Sequence, residues 1–465
     1  MTRRLDGACL LATLALLGGC ASLPPDGGFE PVQRIARERL QQDLVWPQTD
    51  EERHAVAARI AMLKTSPLSM DGAVQLALLN NPGLQAAFDD LGVSQAELLQ
   101  ASRLPNPGIS FGRLRRGSEV ELERGLHWSL AQLIAWPQRR ALELRRAEQT
   151  RQAVAQQVLT LAWQVRRAYI QAVAADQSLH YAQQVQEAAQ AGAELARRMQ
   201  AAGNWSLLQH AREQAFRLDA DLAETHARQA QASAREQLAR LLGLGASPQD
   251  RPLALTLPER LPDLPITLDA LPDAEQTAMD QRLDVQAARR QAELMARQLG
   301  LTRTTRFLNV LDLGWAHNSS NQAPRQTGYE ISLELPLFDW GTARTAKAEA
   351  LYMQSVHRAA QLAVEARSEV REAHQALQHR FALAARYRDE IVPLRQRIAD
   401  EQLLRYNGML VSVFDLLADA RAQIDSVNGA IQAQRDFWLA RADLDMALSA
   451  PLSTPFSSPF SGPQP

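Results

Sequence analysis

The stretch VAQQVLTLAWQVRRAYIQA, Val154 to Ala172, places Val154, Val158, Leu161, Val165, Ala168 and Ala172 at alternating four- and three-residue steps. The stretch AAQLAVEARSEVREAHQAL, Ala359 to Leu377, repeats that stripe 205 positions later with Ala359, Ala363, Ala366, Val370, Ala373 and Leu377. Such spacing is the narrow apolar seam of a long packed helix. Gly203 and Gly408 follow the two stripes at the same offset. The chain therefore reads as a duplication in which two helices of equal length end at equivalent glycines.

Composition agrees with long helices. Aromatic residues make up only 5% of the 465 residues, and the middle of each half is rich in Ala, Gln, Arg, Glu and Leu. The formal net charge is -2, with acids and bases interspersed, which speaks against a nucleic-acid partner.

The N-terminus has the order of an export signal: Arg3 and Arg4, an apolar run from Ala8 to Leu17, then small residues. Leu17-Gly18-Gly19-Cys20 resembles the lipobox of bacterial lipoproteins, which implies cleavage after residue 19 and a lipid on Cys20. Ala21 next to it resembles the sorting pattern for the outer membrane. Cys9 lies within the signal, so the mature chain has no disulfide. No other apolar run approaches the roughly 18 residues that a membrane helix needs. A bilayer-crossing part would have to be a β-barrel.

Residues 20–66 form an N-terminal segment of unassigned role. In the first repeat, 67–245, a short helix begins with Ser69 as its cap, Asn81-Pro82 breaks it, and Pro105 and Pro107 stop the next one. The period then changes. Leu122, Arg124, Leu126, Trp128 and Leu130 alternate with Glu121, Glu123, Gly125, His127 and Ser129, the mark of a strand with two unlike faces. Strands are expected over about 108–134, with Arg116-Gly117-Ser118 as the turn, followed by long helices over about 137–202 and 206–242. Pro137 would occupy the first helical position. A Pro-rich connector, 246–271, leads to the second repeat, 272–449, with strands over about 307–338 and helices over about 341–406 and 412–448. Ala211-Arg212 matches Ala420-Arg421 at an offset of 209, which predicts four extra residues after the second glycine. The tail, 450–465, reads as disordered.

Four strands cannot close a barrel, and an open edge in lipid leaves backbone groups unpaired. Two chains would supply about eight strands, whose interior side chains fill; three would supply about twelve, enough for a lumen. The expected object is mainly α with a transmembrane β-barrel: antiparallel coiled-coil helices forming a periplasmic α-barrel, and a 12-stranded barrel completed in a homotrimer.

Leu68-Ser69-Met70-Asp71 with Ala73 and Ala77, Asn81-Pro82-Gly83-Leu84 with its counterpart Arg282-Leu283-Asp284-Val285, Leu335-Pro336-Leu337-Phe338-Asp339-Trp340-Gly341 with Arg344, and Tyr406-Asn407-Gly408 before Ser412, Asp415-Leu416-Leu417 and Ala420 resemble, in order, the TolC-like outer-membrane efflux protein family. The lipobox adds that family's lipoprotein branch. The resemblance implies a non-enzymatic exit duct in the outer membrane of a Gram-negative bacterium, reaching into the periplasm. It implies docking on a periplasmic adaptor and an inner-membrane pump, and no cofactor beyond the lipid on Cys20.

It also places the periplasmic tip, and with it adaptor docking, at Gly203, Asn204 and Trp205 and at Gly408, Met409 and Leu410. A glycine suits each corner because it accepts positive φ where a helix stops. Family members carry aspartates past the second tip; Asp415 and Asp419, four apart on one helix face, are the gate candidates. Asp415 is equally a solvated acid in a first helical turn. The first tip has no Asp, and Trp205 with Leu207 makes it more apolar.

Enzymatic readings lack support: there is no P-loop, nucleophile elbow or dinucleotide turn. His374 and His379 are five apart, without the partners a metal needs. His127 falls on the polar strand face, as lumen lining. A duct for type I protein secretion and a non-conducting, lipid-anchored coiled-coil scaffold remain the alternatives. The lipoprotein branch leans toward small molecules or metal ions.

Overall fold

The computed structural model describes residues 26–64, 67–245, 255–268, 270–305, 311–333 and 340–449. The signal, Cys20, Pro248, Pro252, the Leu335 to Asp339 motif and the tail lie outside the described residues. In chain order the helices and strands are α1 (Glu30–Leu40), α2 (Asp50–Leu63), α3 (Met70–Asn80), α4 (Pro82–Ser102), β1 (Gly108–Arg116), β2 (Glu119–Ser129), α5 (Leu130–Ala201), α6 (Leu207–Leu241), α7 (Ala274–Gln281) and α8 (Leu283–Thr305). β3 (Leu311–Ser320), β4 (Gln326–Leu333), α9 (Thr342–Arg386), a π-helical turn (Tyr387–Ile391), α10 (Val392–Asn407) and α11 (Val413–Leu448) complete the order. The described residues form two compact units, one drawn from the chain up to Val32, 86–154 and 284–362, the other from 33–85, 155–283 and 363–449.

The first unit holds the sheet, antiparallel throughout in the order β1-β2-β3-β4. Gly117, at φ +62°, turns β1 into β2, with Gly108 opposite His127 and Arg116 opposite Glu119. β2 pairs with β3 from Glu121 opposite Ser320 to Ser129 opposite Asp312, and β3 with β4 from Leu311 opposite Leu333 to Asn318 opposite Gln326. β2 is shorter than expected and passes straight into α5 at Leu130. Ser129 explains the early start: its hydroxyl accepts the Gln132 N–H at 3.4 Å, a cap at the end of the strand. Pro137 is consequently inside α5, not at its first position.

The second unit is helical, and the stripes form its seam. Val154 belongs to the other unit, but Val158, Leu161, Val165, Ala168 and Ala172 are buried here, as are Ala366, Val370 and Leu377. The Asn80-Asn81 pair locks the returning helix α6. The Asn80 amide donates to the carbonyls of Leu242 (2.9 Å) and Gly243 (3.0 Å), and that of Asn81 to Leu241 (2.9 Å). These are the orphan carbonyls of a helix C-terminus. Arg39 does the same for α11, donating to the Ser449 carbonyl at 2.9 Å. The connector clasps α11 as well, since the Pro262 carbonyl accepts from Gln434 (2.6 Å) and Trp438 (3.0 Å).

The second long helix is not continuous. Pro393 lacks the N–H that would pair one turn back, and its ring crowds the carbonyl of residue 389. The chain responds with the π turn of Tyr387–Ile391, which takes up one residue more than an α turn. Tyr387 then sits on Gly429 of α11, where a Cβ would come within 2.6 Å of its hydroxyl.

Candidate functional site

Each long hairpin ends in the same backbone motif. At the first tip the Asn204 N–H bonds the Met199 carbonyl (2.9 Å) and that of Gly203 the Gln200 carbonyl (3.0 Å), with Gly203 at φ +78°. At the second tip Leu410 bonds Arg405 (2.9 Å) and Met409 bonds Tyr406 (2.9 Å), with Met409 at φ +60°. Both are Schellman closures. The left-handed residue of the second tip is therefore Met409; Gly408 has φ -81° and needs no glycine.

The return helices begin alike. Ser206 and Gln209 form a capping box at the start of α6, and Ser412 and Asp415 form one at the start of α11. From the left-handed residue to the cap the two turns are equally long, so the expected four extra residues are absent. The repeat runs at 205 up to Leu179 and Ala384 and at 206 from Gly203 and Met409 onward, and the π turn holds the residue between. Leu238 and Leu444, and Leu242 and Leu448, are buried pairs at the same 206 spacing.

The gate candidates have partners within the chain. Asp415 accepts from the Ser412 N–H (3.1 Å) and hydroxyl (2.7 Å), and these bonds hold its carboxyl below the ordinary range. Its counterpart in the first tip is Gln209, so the cap does not require a charge at this position. Asp419 accepts from the Gln402 amide at 2.7 Å. Its counterpart is an acid after all, Glu213, buried and paired with Arg421 at 2.7 Å, whose guanidinium also lies 4.3 Å from the centre of the Phe216 ring.

The tips differ in what they expose. Trp205 is only 8% exposed, because its ring packs on Phe414 with centroids 4.6 Å apart. It joins the two hairpins and does not project outward. Leu207, Leu208, Met409 and Leu410 are open, Met409 at 94%. Leu208 and the Trp205–Phe414 contact were not singled out by sequence; an aromatic two residues past each tip turn or helix cap was the available signal.

On one face of the sheet Ile109, Phe111, Trp315, Tyr329 and Ile331 stand exposed, Ile109 at 82% and Tyr329 at 79%, and the register places Arg113, Arg115, Arg124 and His317 on that same face. The other face carries Glu121, Glu123, His127, Asn318 and Glu330. There His127 lies over Gly108 and Glu123 over Gly112, sites where a Cβ would collide with them. The Asn318 amide donates to Glu121 at 3.3 Å and the Ser320 hydroxyl to Glu119 at 3.0 Å. Among the described residues each outer edge, β1 and β4, has one paired neighbour. Among the described residues no group of His, Cys, Asp and Glu has metal-binding geometry, and no helix is long and apolar enough to cross a membrane.

Residues 73–244 match the family model for the outer membrane efflux protein. Protein CyaE of Bordetella pertussis is 30% identical over 311 residues, 60% of this chain and 61% of that protein, so the chain spans about three fifths of this relative's length. The open-state MtrE outer membrane channel of Neisseria gonorrhoeae aligns with a TM-score of 0.67 at 20% identity, covering 82% of this chain and 89% of that one. The outer membrane protein VceC of Vibrio cholerae aligns at 0.65 and 19%, covering 82% and 96%. At these identities the likeness is one of fold. The architecture is that of these solved outer-membrane channels, and residues 73–244 are similar to the outer membrane efflux protein family.

Proposed function

We propose that the protein is the outer-membrane exit duct of a tripartite efflux system, conducting small molecules or ions passively from a periplasmic adaptor and an inner-membrane pump. The observation that carries this reading is the sheet: one face with the exposed apolar side chains Ile109, Phe111, Trp315, Tyr329 and Ile331, a polar opposite face and two half-paired edges among the described residues. Strands of 8 to 11 residues suit a tilted bilayer crossing, where open edges are costly. Three copies complete a 12-stranded barrel whose carboxylate-bearing face lines water. The exposed leucines and Met409 at the tips form the adaptor surface, and Asp415 and Asp419 stand where an acidic constriction would form. The lipid on Cys20 anchors the mature N-terminus in the same membrane.

The reading is tested on outer-membrane fractions. The native trimer should resist carbonate extraction, migrate faster before heating than after it, and open conductive pores in planar bilayers. Identical migration together with release by carbonate would leave the scaffold reading.

A further inference from the structure

One cleft is absorbed by none of these roles. It lies within the sheet-bearing unit, between the last turns of α4 and the first turns of α5, with a volume of about 820 Å³. Asn106 and Gln132, which line it, flank the start of β1 and the end of β2. α4 and α5 join the sheet at that end, and the Gly117 turn lies at the other. If the sheet spans the outer membrane, as proposed above, the cleft opens at the periplasmic headgroup layer.

Three arginines against the two carboxylates Glu97 and Glu143 leave the cleft's lining net positive, which suits an anion with an apolar tail. Arg103 and Arg139 line the cleft without an ion-pair partner among the described residues, whereas Arg146 is held by Glu143 at 2.6 Å. The indole N–H of Trp136, in the same wall, is shut off from solvent and has no acceptor. Leu104, beside Arg103, is exposed and supplies apolar surface at the rim. Two unpaired guanidinia and an orphan donor ask for an oxygen-rich anion, which arginine forks bind bidentately. An interfacial tryptophan and an exposed leucine ask for hydrocarbon close by. Basic pockets at the membrane border recognise lipid headgroups in this way.

We propose that this cleft binds the phosphate of a glycerophospholipid from the periplasmic leaflet, held by Arg103 and Arg139 with Trp136 as a further donor. The inference rests on the outer-membrane reading. The full-length protein in a non-ionic detergent is titrated with phosphatidylglycerol, with diacylglycerol of the same chains and with inorganic phosphate, and bound lipid is read by native mass spectrometry. Phosphatidylglycerol should stay bound, diacylglycerol should not, and phosphate should not displace the lipid. An R103Q/R139Q variant that keeps the heat-dependent gel shift should retain about tenfold less phosphatidylglycerol. Equal retention by that variant, equal retention of diacylglycerol, or displacement by phosphate overturns the proposal. A wild-type protein that resists carbonate and shifts on heating but holds no phosphatidylglycerol also overturns it, while the duct reading stands. Failure of carbonate resistance and of the heat shift sinks the duct reading first.

Discussion

The Trp205 ring lies against the Phe414 ring with centroids 4.6 Å apart and planes inclined by 33°, fastening the first tip turn to the first helical turn after the second. Apart from the tip backbone, this is what gives the two hairpin ends a shared core. Truncating a buried tryptophan removes that core, at a cost of about 3–5 kcal/mol locally. Trp205→Ala should therefore raise amide exchange across both turns, 203–208 and 408–414, together. Faster exchange in the first turn alone would mean that Phe414 does not depend on Trp205.

The two closing turns make the same demand for a left-handed residue and meet it with different residues, Gly203 and Met409. A non-glycine residue at φ +60° costs on the order of 1 kcal/mol, so Met409→Gly should be neutral or stabilising. Gly203→Val, at φ +78°, should destabilise by about 1–3 kcal/mol. Gly408→Ala should be tolerated, since the nearest atoms to its Cβ are 3.5 Å away or more. Chemical denaturation of the three variants checks this; a Gly408→Ala loss equal to that of Gly203→Val would put the strained corner at Gly408.

Gly429→Ala places a methyl within 2.6–2.8 Å of the Tyr387 ring end. Overpacking of this kind costs about 1–3 kcal/mol. Tyr387→Ala should recover most of that cost in a double-mutant cycle, because it removes the colliding atoms. Strict additivity of the two changes would show that the ring is not what Gly429 accommodates.

Asp445 on α11 is largely buried, with Arg441 and Arg166 near it, and desolvation raises its carboxyl to about 6 against those charges. A raised carboxyl binds its proton more tightly when folded. Its contribution is therefore full at low pH and is lost as pH rises from about 4 through about 6, on the order of 2–3 kcal/mol. Asp445→Asn should flatten the stability profile across that window and make the protein more stable at pH 7. An unchanged pH profile in thermal melts of the variant would remove Asp445 as its source.

Legibility in the sequence followed periodicity. The stripes from Val154 and Ala359 and the alternation from Glu121 to Leu130 each repeat a single physical period, and helices and a strand stand where those periods run. The misplaced features were set by single side chains that no period announces. Ser129 caps α5 seven residues early relative to Pro137. Met409 takes a conformation that favours Gly408 by residue type, because the Tyr406 and Arg405 carbonyls fix the closing bonds one residue later. The pair Ala211-Arg212 resembled Ala420-Arg421 by chance of composition in two Ala- and Arg-rich helices. Tertiary partners such as Gln402 for Asp419 and Arg421 for Glu213 lie 17 and 208 residues apart and leave no local trace.

The π turn has a consequence for exchanging the two arms as cassettes. Up to residue 384 a segment of the first arm corresponds to the second at 205, and beyond residue 391 it corresponds at 206. A chimaera joined on the wrong side of that turn would rotate every later side chain by about 100° around its helix. Its buried stripe would then face water, although each transplanted segment came from an equivalent helix.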